Sequence, residues 1–258
     1  MTVLGTTYRL GSTSYVWPDD IVPNVRQLGP LVDDVELVLF EVEDWSNLPD
    51  RSTIDELNRL AQQHDLSYTV HLPLDLALAH RPSLDKAERV IDRTRQLEPR
   101  AYVLHLDGRA VEGEPPPAVL DRWQVDALGA LEAVAAMVGE PGQLCVENLE
   151  NYRAEHFLPL LDEMPVSLCL DIGHLWLNGR DPIPLTEKYL PRVQVVHLHG
   201  IGQRDHQSLS HQGMEGVAPI LKLLSARAYE GVLTLEVFNL EDFCSSRALV
   251  AEFVNGKN

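Results

Sequence analysis

Eight short apolar runs, each followed by a stretch of helical periodicity, constrain this chain more than any other feature. The runs are Arg9–Tyr15, Val35–Phe40, Ser67–Leu72, Ala101–Leu106, Gln143–Glu147, Val166–Asp171, Gln194–His199 and Val232–Val237. Near-continuous Val and Leu content over five to seven residues suits strands buried on both faces, as parallel strands are. Between the runs, Leu84, Ala87, Val90, Ile91 and Leu97 fall on one helical face behind Ser83, a candidate N-cap. Thr53 and Glu56 have the spacing of a capping box ahead of Leu57 and Leu60. Residues 128–138 and 218–224 read as further helices. Strict alternation implies a parallel sheet with right-handed crossovers. Eight such units close into a (β/α)8 TIM barrel, an α/β fold that usually takes about 250 residues. The expectation is a single barrel domain spanning 1–258. Glu114-Pro115-Pro116-Pro117 reads as a rigid loop over the barrel mouth.

Charge narrows the function. Asp and Glu number 39 against 21 Lys and Arg, a net charge of −18. Such a chain repels phosphate backbones, so no nucleic-acid partner is expected and the substrate should be a small molecule. No GxGxxG or GxxxxGK[ST] follows the first run, which argues against a nucleotide fold. No apolar run approaches the roughly 20 residues of a spanning helix, so no membrane partner is expected. The first seven residues lack a basic start and an apolar core, which suits a cytoplasmic chain without a cleaved signal. Cys145, Cys169 and Cys244 fit no CxxC pattern, and the first two read as buried packing residues. A homo-oligomer is compatible with all of this.

The chemistry lies at the ends of the runs. Run three ends in Val70-His71-Leu72, four in Leu104-His105-Leu106-Asp107, and five in Val146-Glu147-Asn148. Run six ends in Asp171-Ile172-Gly173-His174, seven in His197-Leu198-His199, and eight in Leu235-Glu236-Val237. His, Asp and Glu make up 49 of 258 residues, about one in five, so six successive matches are not expected from chance. In a closed barrel those ends ring one cavity, where this fold places its active sites. A dry carboxylate ring repels itself, and divalent cations relieve that cost. Mixed imidazole and carboxylate donors suit Zn, Mn, Fe or Co better than Ca.

These strand ends resemble the xylose-isomerase-like barrel superfamily, which holds sugar isomerases and epimerases and the family 2 apurinic/apyrimidinic endonucleases. The resemblance implies a central divalent ion held by Glu147, Asp171, Glu236 and either His197 or His199. Alternation puts both histidines on one face, so the pattern leaves that choice open. It also implies a second ion bridged by Glu147 and held by His71 and His105, and a third site at His174 and His206. There the family's aspartate is replaced by Arg204, with Asp205 displaced by one position. Two ions, Zn first among the candidates, are therefore expected. Glu147, Glu236, His174 and Arg204 are the expected catalytic residues, the last for its own geometry and not from the resemblance. Arg204 is suited to hold a phosphate, and Asp107 and Arg109 lie where substrate would pass.

Whole segments, including 10–16, 34–41, Tyr68–Asp75 and 103–108, are similar to the cobamide-remodelling phosphodiesterases. That similarity implies a hydrolase cleaving a phosphoester in the nucleotide loop of a cobamide. A metal-dependent sugar isomerase or epimerase is the alternative, with Glu147 and Glu236 as paired acid and base. Glu36 and Glu41 read either as solvated strand-end residues or as residues that face the cavity. Trp17, Trp45, Trp123 and Trp176 read as loop-packing residues or as the lining of a pocket. His64, His80, His156 and His211 are given no role.

Overall fold

The computed structural model describes residues 2–42, 45–74, 76–77 and 80–256. Asp75, part of one segment of the family resemblance, lies outside them. Eight parallel strands form a closed barrel: β1 (Arg9–Thr13), β2 (Asp34–Val38), β3 (Ser67–His71), β4 (Ala101–Leu104), β5 (Leu144–Glu147), β6 (Ser167–Asp171), β7 (Val193–Leu198) and β8 (Val232–Leu235). Each pairs with its sequence neighbours, and β1 closes the ring on β8 through Arg9 opposite Val232 and Ser12 opposite Leu235. A two-stranded antiparallel ribbon, Glu41–Val42 with Trp45–Ser46, follows β2. Among the described residues no helix is long and apolar enough to cross a membrane.

The helices form where sequence patterning puts them, but their ends differ in detail. Helix Arg51–His64 buries Ile54, Leu57 and Leu60, one face at helical spacing. Its cap is Asp50, whose Oδ1 accepts from the Thr53 N–H at 2.7 Å, and not Thr53 itself. Such a cap contributes about 1 kcal/mol. Glu56 pairs with Arg59 and Arg26 and does not reach back to close a capping box. Ser83 likewise sits inside helix Arg81–Thr94, where its Oγ accepts from the Ala77 N–H at 2.9 Å. A proline at the first turn starts that helix two residues before the serine. Pro117 is the first residue of helix Pro117–Val138, so the proline run is a loop that ends as a helix start.

The barrel's inner column explains how the site is held. A separate cluster of Ala101, Val103, Cys145, Cys169 and Val195 fills the interior below the mouth. Two residues further along the same strands, on the same face, come His105, Glu147, Asp171 and His197. Small side chains thus form the floor and ionisable ones the layer above. Burial pushes the Cys145 and Cys169 thiols up, so both stay protonated packing groups.

Candidate functional site

Six strand-end positions converge as the sequence pattern implies. His71 Nε2 lies 3.2 Å and His105 Nε2 3.0 Å from the same oxygen, Oε2 of Glu147. The His71 Nδ1–H donates to the Leu72 carbonyl at 2.8 Å, which turns Nε2 inward. His197 Nδ1 stands 3.2 Å from Glu236, 3.5 Å from Glu147 and 3.9 Å from Asp171. Glu147, Asp171, His197 and Glu236 each offer an atom within 4.8 Å of the others, and all four are buried.

Asp171 is positioned by two devices. Its Oδ1 accepts from the His174 N–H at 2.6 Å and caps helix Ile172–Leu177. The Asn148 side chain brackets its backbone, accepting from the Asp171 N–H at 2.8 Å and donating to the Asp171 carbonyl at 2.9 Å. Oδ2 is then left free toward the centre. Asp171 Oδ2, His197 Nδ1 and Glu236 Oε2 are all buried with no hydrogen-bond partner among the described residues. Unpartnered buried polar atoms are rare because each costs about 1–3 kcal/mol, and three aimed at one point fit a cation.

The geometry separates the two histidines of β7. His197 faces the central carboxylates, whereas His199 Nε2 lies 3.3 Å from Asp171 Oδ1. His199 Nδ1 accepts from the His206 N–H at 3.0 Å, so in the neutral ring the proton sits on Nε2. Nε2, like His197 Nδ1, is buried without a hydrogen-bond partner among the described residues. The His199 ring also stacks on His206, centroids 4.2 Å apart, and occupies the space beside Gly173. His206 itself adopts a left-handed φ of 51°, and its Nε2 reaches within 3.3 Å of Glu236. Asp171, His174, His199 and His206 form a second donor group on this side of the cavity.

Several residues fall elsewhere than expected. Glu36 is no solvated residue: it is fully buried, and its Oε2 lies 2.9 Å from His197 Nε2. Arg204 is exposed and does not line the cavity, while Asp205 and His206 do. Asp107 and Arg109 line the cavity as a mutual ion pair. Glu41 is half-buried beside Arg89. Trp123 packs a loop, donating to the Asp107 carbonyl at 2.8 Å, and Trp17 and Trp176 pack against the core; Trp45 is exposed. Alternation from Asp34 through Glu36 to Val38 is the signal that marks Glu36, once the inner face of β2 is known.

Charge in the site is reciprocal. Burial pushes the Glu147 and Glu236 carboxyls up, but the surrounding histidines outweigh it and hold both well below the usual range. Burial pushes the His71 ring down, yet Glu147 carries it up to about 9. His206 is likewise carried up to about 10 against burial, chiefly by Glu236. The cavity above these groups holds about 570 Å³.

Comparison with known proteins gives a consistent neighbourhood. An inosose dehydratase of Clostridium perfringens is 21% identical across 91% of each chain. A D-tagatose 3-epimerase-like protein superposes with a TM-score of 0.73 at 20% identity, covering 96% of this chain and 99% of the other. A probable 3-DHS dehydratase of Bacillus anthracis gives 0.70 at 15% identity, with 97% and 100% covered. These names overturn the phosphoester-cleaving hydrolase and its cobamide substrate, because the relatives matched along the whole barrel are dehydratases and epimerases. His71 and His105 drew the sequence reading toward hydrolysis, but imidazoles around a carboxylate form a cation site whatever bond is broken. The model of the xylose isomerase-like TIM barrel matches residues 22–252, and the chain belongs to that family.

Proposed function

We propose that this chain is a metal-dependent enzyme that moves a proton at the carbon beside a carbonyl in a small, sugar-like substrate, as an isomerase or epimerase. One observation carries the reading: Glu147 and Glu236, two buried carboxylates from non-adjacent strands, both face His197 Nδ1 at the floor of one cavity. A carbon lying between them has a carboxylate on either side. One removes the proton and the other returns one to the opposite face, which inverts the centre. Both carboxyls are held low, the state a base requires, so the one that returns a proton first takes it up from water, and the proton removed by the other leaves to water.

The donors support one central divalent ion at Glu147, Asp171, His197 and Glu236, and a second at His71, His105 and Glu147. Zn, Mn, Fe or Co suits the nitrogen and oxygen mix. A bound ion supplies Lewis-acid polarisation of adjacent substrate oxygens. Glu36 fixes the His197 ring, Asn148 fixes Asp171, and Asp107 and Arg109 stand at the cavity wall to meet substrate.

Dehydration is the second reading, favoured by the dehydratase that aligns over 91% of each chain. It begins with the same proton removal and then expels a neighbouring hydroxyl as water. His206, on the cavity wall and carried up to about 10, holds the proton that this departure needs.

The test is solvent exchange. Metal-loaded protein is incubated in D2O with a panel of ketoses and keto-cyclitols and followed by proton NMR. Deuterium should enter at the carbon beside the carbonyl, with epimer, isomer or dehydrated product appearing. A protein that holds its metal yet exchanges no carbon-bound proton in any panel member rejects the proposal.

A further inference from the structure

Above its ionisable floor the cavity is walled by Val38, Leu74, Leu76, Leu106, Leu149 and Phe238, six apolar side chains drawn from five strand-end loops or strands. A bare monosaccharide presents hydroxyls on every side and needs hydrogen-bond partners all round. Asp107, Arg109, Glu150, Asn151 and Asp205 supply such partners on the rest of the lining, but the six apolar side chains supply none. The volume, about 570 Å³, belongs to the range of roughly 300–1,000 Å³ that encloses drug-sized ligands. Leu74 is 55% exposed at the rim. Exposed aromatic residues also follow β1 and β2, and two of them, Tyr15 and Trp45, line a separate hollow. Tyr15, Phe40 and Trp45, which follow β1 and β2, pack edge to face and tilted at 6.3 and 5.6 Å, and Tyr15 and Trp45 are 43% and 53% exposed.

We propose that the substrate is a conjugate: a polyhydroxylated unit that reaches the carboxylate floor, joined to an apolar, planar group that lies on this wall. The occupant is the substrate's own appendage, because the wall is continuous with the floor where Glu147 and Glu236 stand, and one cavity serves both. The inference rests on the proposed function for the reacting unit, but the wall is tested by binding alone. The polar end is held by the base of the cavity and the ion pair of Asp107 and Arg109. The apolar end gains by leaving water, roughly 25 cal/mol for each Å² covered.

The experiment titrates the metal-loaded protein with methyl β-D-glucopyranoside and with 2-naphthyl β-D-glucopyranoside by calorimetry. The two probes share the polar unit and differ in the appendage. The naphthyl compound is expected to bind at least about tenfold more tightly, in keeping with the extra apolar area. In Phe238→Ala and in Leu149→Ser that ratio should fall at least threefold, while circular dichroism reports an unchanged fold. Equal affinities for the two probes, or a ratio untouched by both substitutions, overturn the proposal. Neither result depends on turnover. Failure of the D2O exchange assay with intact naphthyl selectivity would count against the reaction and not against the wall.

Discussion

Glu36 Oε2 and His197 Nε2 face each other at 2.9 Å across the barrel interior, both side chains fully buried. A carboxylate behind an imidazole orients the ring, so that once it loses a proton the other nitrogen, Nδ1, turns its lone pair toward Glu147, Asp171 and Glu236. Outer partners of this kind are worth about 10–100-fold in metal affinity. Glu36→Gln should therefore release metal to a chelator at concentrations about tenfold or more below those the parent needs. Unchanged metal retention with a native far-UV spectrum would remove Glu36 from this role.

Glu147 serves both donor groups, whereas His71 serves one. Glu147→Gln should lower kcat by about 10³-fold or more, the upper part of the range for losing a general base. His71→Ala should cost far less and remove about one ion per chain by elemental analysis. Equal losses in the two variants would contradict the shared carboxylate.

Metal binding should also release protons. In the metal-free protein His71 is carried up to about 9 and His197 well above its ordinary value, so both rings are protonated at pH 7. A ligand nitrogen must be deprotonated, so apparent affinity rises with pH through the 7–9 window. Calorimetry at pH 7 in two buffers of different ionisation heat should show about two protons released on filling both groups. A binding heat that is the same in both buffers would exclude these rings as ligands.

Deeper in the barrel, burial carries the Asp34 carboxyl up to about 6. The folded state binds this proton more tightly than the unfolded state. The stability tied to it is thus full below about pH 3.8 and lost as pH rises through 6. Asp34→Asn keeps an acceptor for the Ser67 hydroxyl. It should stabilise the protein at pH 7.5 by about 2 kcal/mol, with the gain shrinking toward pH 4, as read from urea midpoints. A loss of stability at pH 7.5 would show that the charge is paired.

The barrel and the ring of ionisable side chains at its mouth were legible because parallel strands announce themselves as apolar runs and because the ionisable residues stop those runs. His71, His105, Glu147, Asp171, His197 and Glu236 all follow from that punctuation. Glu36 did not, since β2 is buried on both faces and its sequence carries no mark of which alternate residues point inward. Arg204 misled for a different reason. The loop after β7 makes its turn through the left-handed His206, which brings Asp205 to the cavity wall and leaves Arg204 in solvent. Backbone reversals of that kind are set by tertiary contact, here the hydrogen bond to His199. The reaction was the least legible, because one donor set serves several chemistries.

Gly173 has no side chain, and the His199 ring lies where one would be: an added Cβ would sit 2.1 Å from His199 Cε1. The absent methyl is thus a spacer, and its consequence is mechanical. His199 is a prop wedged between the Asp171 helix and the loop of His206, so two parts of the site far apart in sequence share one bearing surface. Widening that surface by a single carbon would tilt the prop and carry His206 away from Glu236. One dimension of the site is therefore set by a residue with no side chain.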